Sequence, residues 1–186
     1  MEQGRLQARR DSGIIVATGE IADDTIRILC SWYNVPIEKS PIKKGRGEPV
    51  MNLLVIDAQG GGLGKQLIAA VKANCTDIHV IAVGSNSAAT SAMLRAGADE
   101  AATGENAVVV CSRNADIIAG PIGIVIADAL LGEITPRMAA AVAQSGARRI
   151  LIPINHCSNI VVGVEDLNMG RLVRCAVAEI EKLCKP

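Results

Sequence analysis

Along the second part of the chain, short unbroken apolar runs alternate with segments in which apolar residues return every three or four positions. The run NLLVID at 52–57 has the uniform character of a strand buried on both faces. Leu63, Leu67, Ile68 and Val71 follow as a stripe along one side of a helix over 63–73. DIHVIAVG at 77–84 predicts a second strand, and SNSAATSAMLRAGA a second helix with Ser85 or Asn86 at its N-cap and Gly97 as its stop. DEAAT reads as a short third strand and GENAVVVCSRNA as a short helix. DIIAG at 116–120 predicts a fourth strand entering PIGIVIADALLG as a helix, and Thr135 before Pro136 starts another helix that runs through Gln144. ARRILIPIN and NIVVGV predict a fifth and a sixth strand, and residues 165–182 a closing helix with Leu167, Val173, Val177 and Ile180 near one face.

Strand and helix in regular alternation predict an α/β fold: a single Rossmann-like three-layer domain with a mostly parallel sheet and right-handed crossovers. Such a sheet binds ligands outside the carboxyl ends of its strands, where the strand order reverses. Residues 1–50 are of another kind. They hold the only tryptophan and tyrosine, Trp32 and Tyr33, a short strand at 14–17, a short helix at 23–33 and a proline-punctuated linker, PIEKSPIKKGRGEP. Lys43, Lys44 and Arg46 read as solvated charges of that linker. The expected division is an N-terminal extension, arm or translated leader over 1–50 and a nucleotide-binding domain over 51–186.

Composition narrows the function. Lysine and arginine total 19, as do aspartate and glutamate, so no net field draws the chain to nucleic acid or an anionic membrane. Residues 51–186 contain no Phe, Tyr or Trp on which bases would stack, which removes single-stranded nucleic acid as a partner. With 49% hydrophobic and 20% charged residues, some apolar surface is expected to be covered by a second copy, as in a homo-oligomer. The six cysteines form no CxxC pair and read as free thiols of a cytoplasmic protein, with no metal site. MEQGRLQARRDSG lacks the apolar stretch of a signal peptide, and the longest uncharged apolar run, 117–127, is too short for a bilayer.

The chemistry centres on VIDAQGGGLGKQLIAA at 55–70, an apolar run that meets glycines, a lysine and then a helix. A Walker A pattern places Gln59 at its first glycine and Gln66 at its hydroxyl, and the deviant KGGxGK[ST] form loses its first lysine to Gly60, so an NTPase is not expected. The dinucleotide pattern GxGxxG fits Gly60 and Gly62 but meets Lys65, and GxxGxxG fits Gly61 and Gly64 but meets Leu67. Either way the third glycine, which brings helix and strand together, is missing. The glycines still allow positive φ, and free N–H groups at the helix start attract an anion. Lys65 in the first helical turn opposes the helix dipole unless such an anion is bound.

After the second strand the chain reads Gly84, Ser85, Asn86, Ser87, with no carboxylate for ribose hydroxyls. These small polar groups tolerate a 2′-phosphate, so NADP is expected over NAD, although no arginine stands there to clamp it. Gly120 and Gly123 in GPIG face the same crevice from the fourth strand, and Glu105 and Asn106 stand at the end of the third. Asn155 and His156 are the candidates for hydrogen bonding a ligand or for acid–base work; Cys157, adjacent in an extended segment, points away. His79 reads as structural, and Asp128 and Glu133 as helix-surface groups.

NLLVIDAQGGGLGKQL, IAVGSNSAATSAMLRAGAD, ATGENAVVV, ADIIAGPIGIVIADALLGEITPRMA and ILIPINHCSNIVVGV together resemble an uncharacterised family of short bacterial proteins, a domain of unknown function, over residues 51 to about 165. The resemblance implies that the first fifty residues lie outside the family's extent. It implies no activity, substrate or catalytic residue. The residues themselves point to a protein that binds a nucleotide or dinucleotide, in enzymatic form an NADP-linked oxidoreductase whose site a second subunit completes. The alternative is a non-enzymatic nucleotide-responsive sensor or scaffold acting through an oligomer interface.

Overall fold

The computed structural model describes residues 51–154, 161 and 168–184, together with the backbone of Lys43–Lys44 and Glu48–Pro49. All of them belong to one compact unit, Pro41–Pro186. Two short strands, β1 (Lys43–Lys44) and β2 (Glu48–Pro49), pair antiparallel inside the segment that composition marks as linker. Then follow β3 (Met51–Asp57), α1 (Gly62–Asn74), β4 (Ile78–Gly84), α2 (Ser87–Arg95), β5 (Glu100–Thr103), α3 (Glu105–Asn114), β6 (Ile117–Pro121), a 3-10 helix (Ile122–Val125), α4 (Pro136–Gln144), β7 (Arg148–Ile152) and α5 (Met169–Cys184).

The five strands β3 to β7 form one all-parallel sheet in the order β5-β4-β3-β6-β7. Leu53 pairs with Val80 on one side and Ile117 on the other, which places β3 at the centre. Chain order runs outward from β3 through β4 to β5 and then restarts at β6, so the reversal point lies between β3 and β6. That is where an open α/β sheet leaves a crevice at its carboxyl edge.

β3 is buried from Asn52 to Asp57, and its side chains alternate between two cores. Leu53 and Val55 pack with Leu67, Ile68 and Val71 of α1, Met93 of α2, and Val173, Val177 and Ile180 of α5. Leu54 and Ile56 pack with Val108 of α3, Met138 and Val142 of α4, and Ile124 and Ile134. The apolar stripe of α1 thus faces the sheet, which makes three layers. Helix starts follow the cap chemistry: Asn86 Oδ1 accepts from Ala89 N at 2.9 Å, and Thr135 Oγ1 from Met138 N at 3.2 Å.

The segment PIGIVIADALLG departs from its expected helix. After Val125 it becomes a strap over residues 126–135, with Asp128, Leu130, Leu131 and Gly132 at φ of 60°, 57°, 62° and 83°. Left-handed residues cannot continue a right-handed helix. The strap is tied to itself, Asp128 N donating to Ile134 O at 2.8 Å and Ile134 N to Ala129 O at 3.2 Å. Ala129, Leu130 and Ile134 are nevertheless buried, so the apolar spacing reports burial here without helix.

The predicted sixth strand (NIVVGV) apart from Val161, the start of the closing helix before residue 168, and the elements at 14–17 and 23–33 lie outside the described residues. Among the described residues Cys75, Cys111, Cys175 and Cys184 form no disulfide. Among the described residues no helix is long and apolar enough to cross a membrane.

Candidate functional site

β3 ends on Asp57, whose side chain is 5% exposed. Its Oδ1 accepts from Ala58 N at 2.8 Å and its Oδ2 from Gly64 N at 2.6 Å, in the first turn of α1. Burial pushes the Asp57 carboxyl above the ordinary aspartate range, and the N–H groups of Gly64, Ala58 and Leu63 only partly offset it. The start of α1 therefore already faces a carboxyl of the protein's own. Asp57 went unread as a site residue; the signal in the sequence is an acid closing a buried run just before the glycines.

The turn runs through Gln59 at φ 54° and Gly61 at φ 67°, with Gly61 N donating to Ala58 O at 3.0 Å. Its glycines serve different ends. A Cβ on Gly61 would sit 2.7 Å from Ala89 Cα, and one on Gly64 would sit 3.0 Å from Asp57 Cβ and 2.5 Å from Met93 Sδ. Gly64 thus supplies the close helix-on-strand contact that the motif spacing reads as missing. In β6, a Cβ on Gly120 would run into the carbonyl oxygen of Ile56, so Gly120 is needed by the sheet. Gly60 and Gly62 differ: neither has a left-handed φ, and a Cβ on either would meet nothing within 4 Å. Among the described residues their N–H groups have no hydrogen-bond partner.

Gly60 and Gly62 line a cavity of about 220 Å³ at the reversal point, with Asp57, Gln59, Gly123 and Leu130 also in its wall. Ile154 and Met169 also line it. Lys65 is exposed in the first turn of α1 and is not part of that wall. Asn155 and His156 lie outside the described residues.

Ser85 and Asn86 stand at the end of β4, beside Gln59 rather than in the cavity wall. Both donate to Glu133 of the strap: Ser85 Oγ to Oε2, and Asn86 Nδ2 to the same oxygen at 2.7 Å. Gln59 N donates to it as well, at 2.9 Å. Glu133 is not a helix-surface group but the anchor of the strap across the ends of β3 and β4. Partial burial pushes its carboxyl up, yet the donors Ser85, Gln59 and Asn86 outweigh this and hold it below the ordinary glutamate value. Its Oε1 has no hydrogen bond among the described residues. No local pattern announces this, because Glu133 lies 48 positions after Ser85.

Glu105 holds the far end of the strap, accepting from Thr135 Oγ1 at 2.7 Å and pairing with Arg137 at 3.2 Å. Chemically, the crevice offers Gln59, Gln66, one buried carboxyl and, among the described residues, backbone N–H groups without a partner, with the Glu133 carboxylate held behind Gln59. Among the described residues no cluster of three His, Cys, Asp or Glu is placed to hold a metal ion.

Residues 52–185 match the family described as Domain of unknown function (DUF3842). The match begins after the first fifty residues and reaches past residue 165, taking in α5. No curated protein matches the chain.

Proposed function

The chain belongs to this family of unknown function, and we propose from its own residues that it binds a nucleotide in the crevice between β3 and β6. One observation carries the reading: Gly60 and Gly62 line the cavity although neither backbone conformation nor packing requires glycine at either place. Their missing Cβ atoms, and N–H groups without a partner among the described residues, suit a phosphate that approaches the backbone closely. Lys65 would add long-range attraction, Gly123 the opposite wall, and Ser85, Asn86 and Glu133 the sugar end. The cavity is open to solvent and small, about 220 Å³ against the roughly 300–1,000 Å³ typical of drug-sized ligand sites, so a bound nucleotide would be held at its phosphate end and extend out over the surface.

The NADP-linked form of this reading loses support, because a 2′-phosphate beside Ser85 and Asn86 would meet the Glu133 carboxylate. For the sensor form, Leu131, 95% accessible at the tip of the strap that carries Glu133, is the side chain to test as a contact with a second copy.

A thermal-shift panel on the full chain with AMP, ATP with magnesium, NAD, NADP and S-adenosylmethionine tests the proposal. A true ligand at about a hundred times its Kd stabilises by about 2.7 kcal/mol, and Gly62→Leu should abolish that gain while the ligand-free protein stays folded. A flat panel, or a gain that survives Gly62→Leu, removes the reading.

A further inference from the structure

We propose that Glu133 is the specificity-determining residue of the crevice: it accepts a ligand with free ribose hydroxyls and rejects one that carries a 2′-phosphate. The inference rests on the nucleotide reading above and adds to it the class of ligand. In sheets of this kind a carboxylate after the second parallel strand commonly holds the ribose hydroxyls. Here that strand is β4, and 84–87 contain no acid. The strap delivers one to the same place from the other side of β3.

The geometry leaves the carboxylate half used. Gln59 N, Ser85 Oγ and Asn86 Nδ2 all donate to Oε2, which fixes the group, while Oε1 has no partner among the described residues. A fixed anionic oxygen with a vacant lone pair is an acceptor for hydroxyls. A phosphate brought to the same point finds its potential donors, Ser85 and Asn86, already engaged by a negative charge. Glu133 is not itself in the cavity wall, but its hydrogen-bond partner Gln59 and its strap neighbour Leu130 are, so the carboxylate stands next to residues that line the volume in which the rest of the ligand would lie.

The test compares AMP with adenosine 2′,5′-bisphosphate by calorimetry on the full chain. The wild-type protein should bind AMP at least about tenfold more tightly, since like charges in contact disfavour the wrong partner by such factors or more. Raising the salt should shrink that ratio, because the discrimination is electrostatic. Glu133→Gln, which keeps the shape and removes the charge, should bring the two ligands within about threefold of each other. Equal affinities for the wild type, or a ratio that ignores salt, overturn the inference while leaving nucleotide binding intact. So does a folded Glu133→Gln protein with the wild-type ratio. The two wild-type measurements decide even if Glu133→Gln does not fold, and binding of neither ligand overturns both readings.

Discussion

Asn86 Nδ2 donates to Glu133 Oε2 at 2.7 Å, across 47 positions of sequence, while Asn86 Oδ1 caps α2 by accepting from Ala89 N at 2.9 Å. One side chain thus fixes both the start of a helix and the edge of the strap. Local capping and long-range closure are coupled through it.

Asn86→Ala should therefore cost more than a cap alone, which is about 0.5–2 kcal/mol. In a double-mutant cycle with Glu133→Ala, urea denaturation should show a coupling of about 0.5–3 kcal/mol, and the Gln59 amide should exchange faster in the Glu133 variant. Strict additivity would mean that the contact contributes nothing to stability.

The glycines should divide by role. Gly61→Ala places a Cβ at positive φ and against Ala89, so a loss of about 3 kcal/mol or more is expected, and Gly120→Ala should be similarly disruptive. Gly60→Ala and Gly62→Ala should stay within about 1 kcal/mol of the wild type. Equal losses at all four positions, measured by chemical denaturation, would erase the distinction on which the nucleotide proposal depends.

Acid stability should carry three signatures. Glu133 and Asp99 both titrate below their ordinary values of 4.5 and 3.8; for Asp99, burial pushes upward but the hydrogen bonds and charge of Lys72, with Val80 N and His79, prevail. Their contributions are complete above those values and disappear as pH falls through the lowered ones. Asp57 acts in the opposite sense: burial raises it, so its contribution weakens as pH climbs from 3.8 through the raised value. Melting curves from about pH 3 to 7 should show a flatter acid limb in Glu133→Gln and a smaller decline above pH 3.8 in Asp57→Asn. An unchanged profile in both variants would contradict the assigned directions.

Leu131→Ser should leave the monomer within about 0.5 kcal/mol, because that side chain is 95% exposed. If the strap tip meets a second copy, sedimentation should show weaker self-association in the variant. The same association in both proteins would rule that contact out.

Much of the sheet is legible from the run NLLVID and the stripe of Leu63, Leu67, Ile68 and Val71, because a strand covered on both faces and a helix covered on one leave different periodicities. Thr135 with Pro136, and Asn86, mark helix starts through chemistry that acts over three residues. The strap defeats the same reasoning. Ile124, Ala129 and Leu130 lie in the run expected to be a helix and are buried, yet after the 3-10 turn the chain passes through left-handed residues at Asp128 and 130–132.

The sequence by itself determined the alternation of strand and helix, the three layers and the glycine turn at the end of β3, since these follow from local propensity and the period of burial. Tertiary structure alone decided what each glycine is for, that Asp57 meets the start of α1, and that Glu133 stands where the end of β4 lacks an acid. Steric contact and charge act through distance in space. Residues 48 positions apart become neighbours only once the sheet has set the strand order.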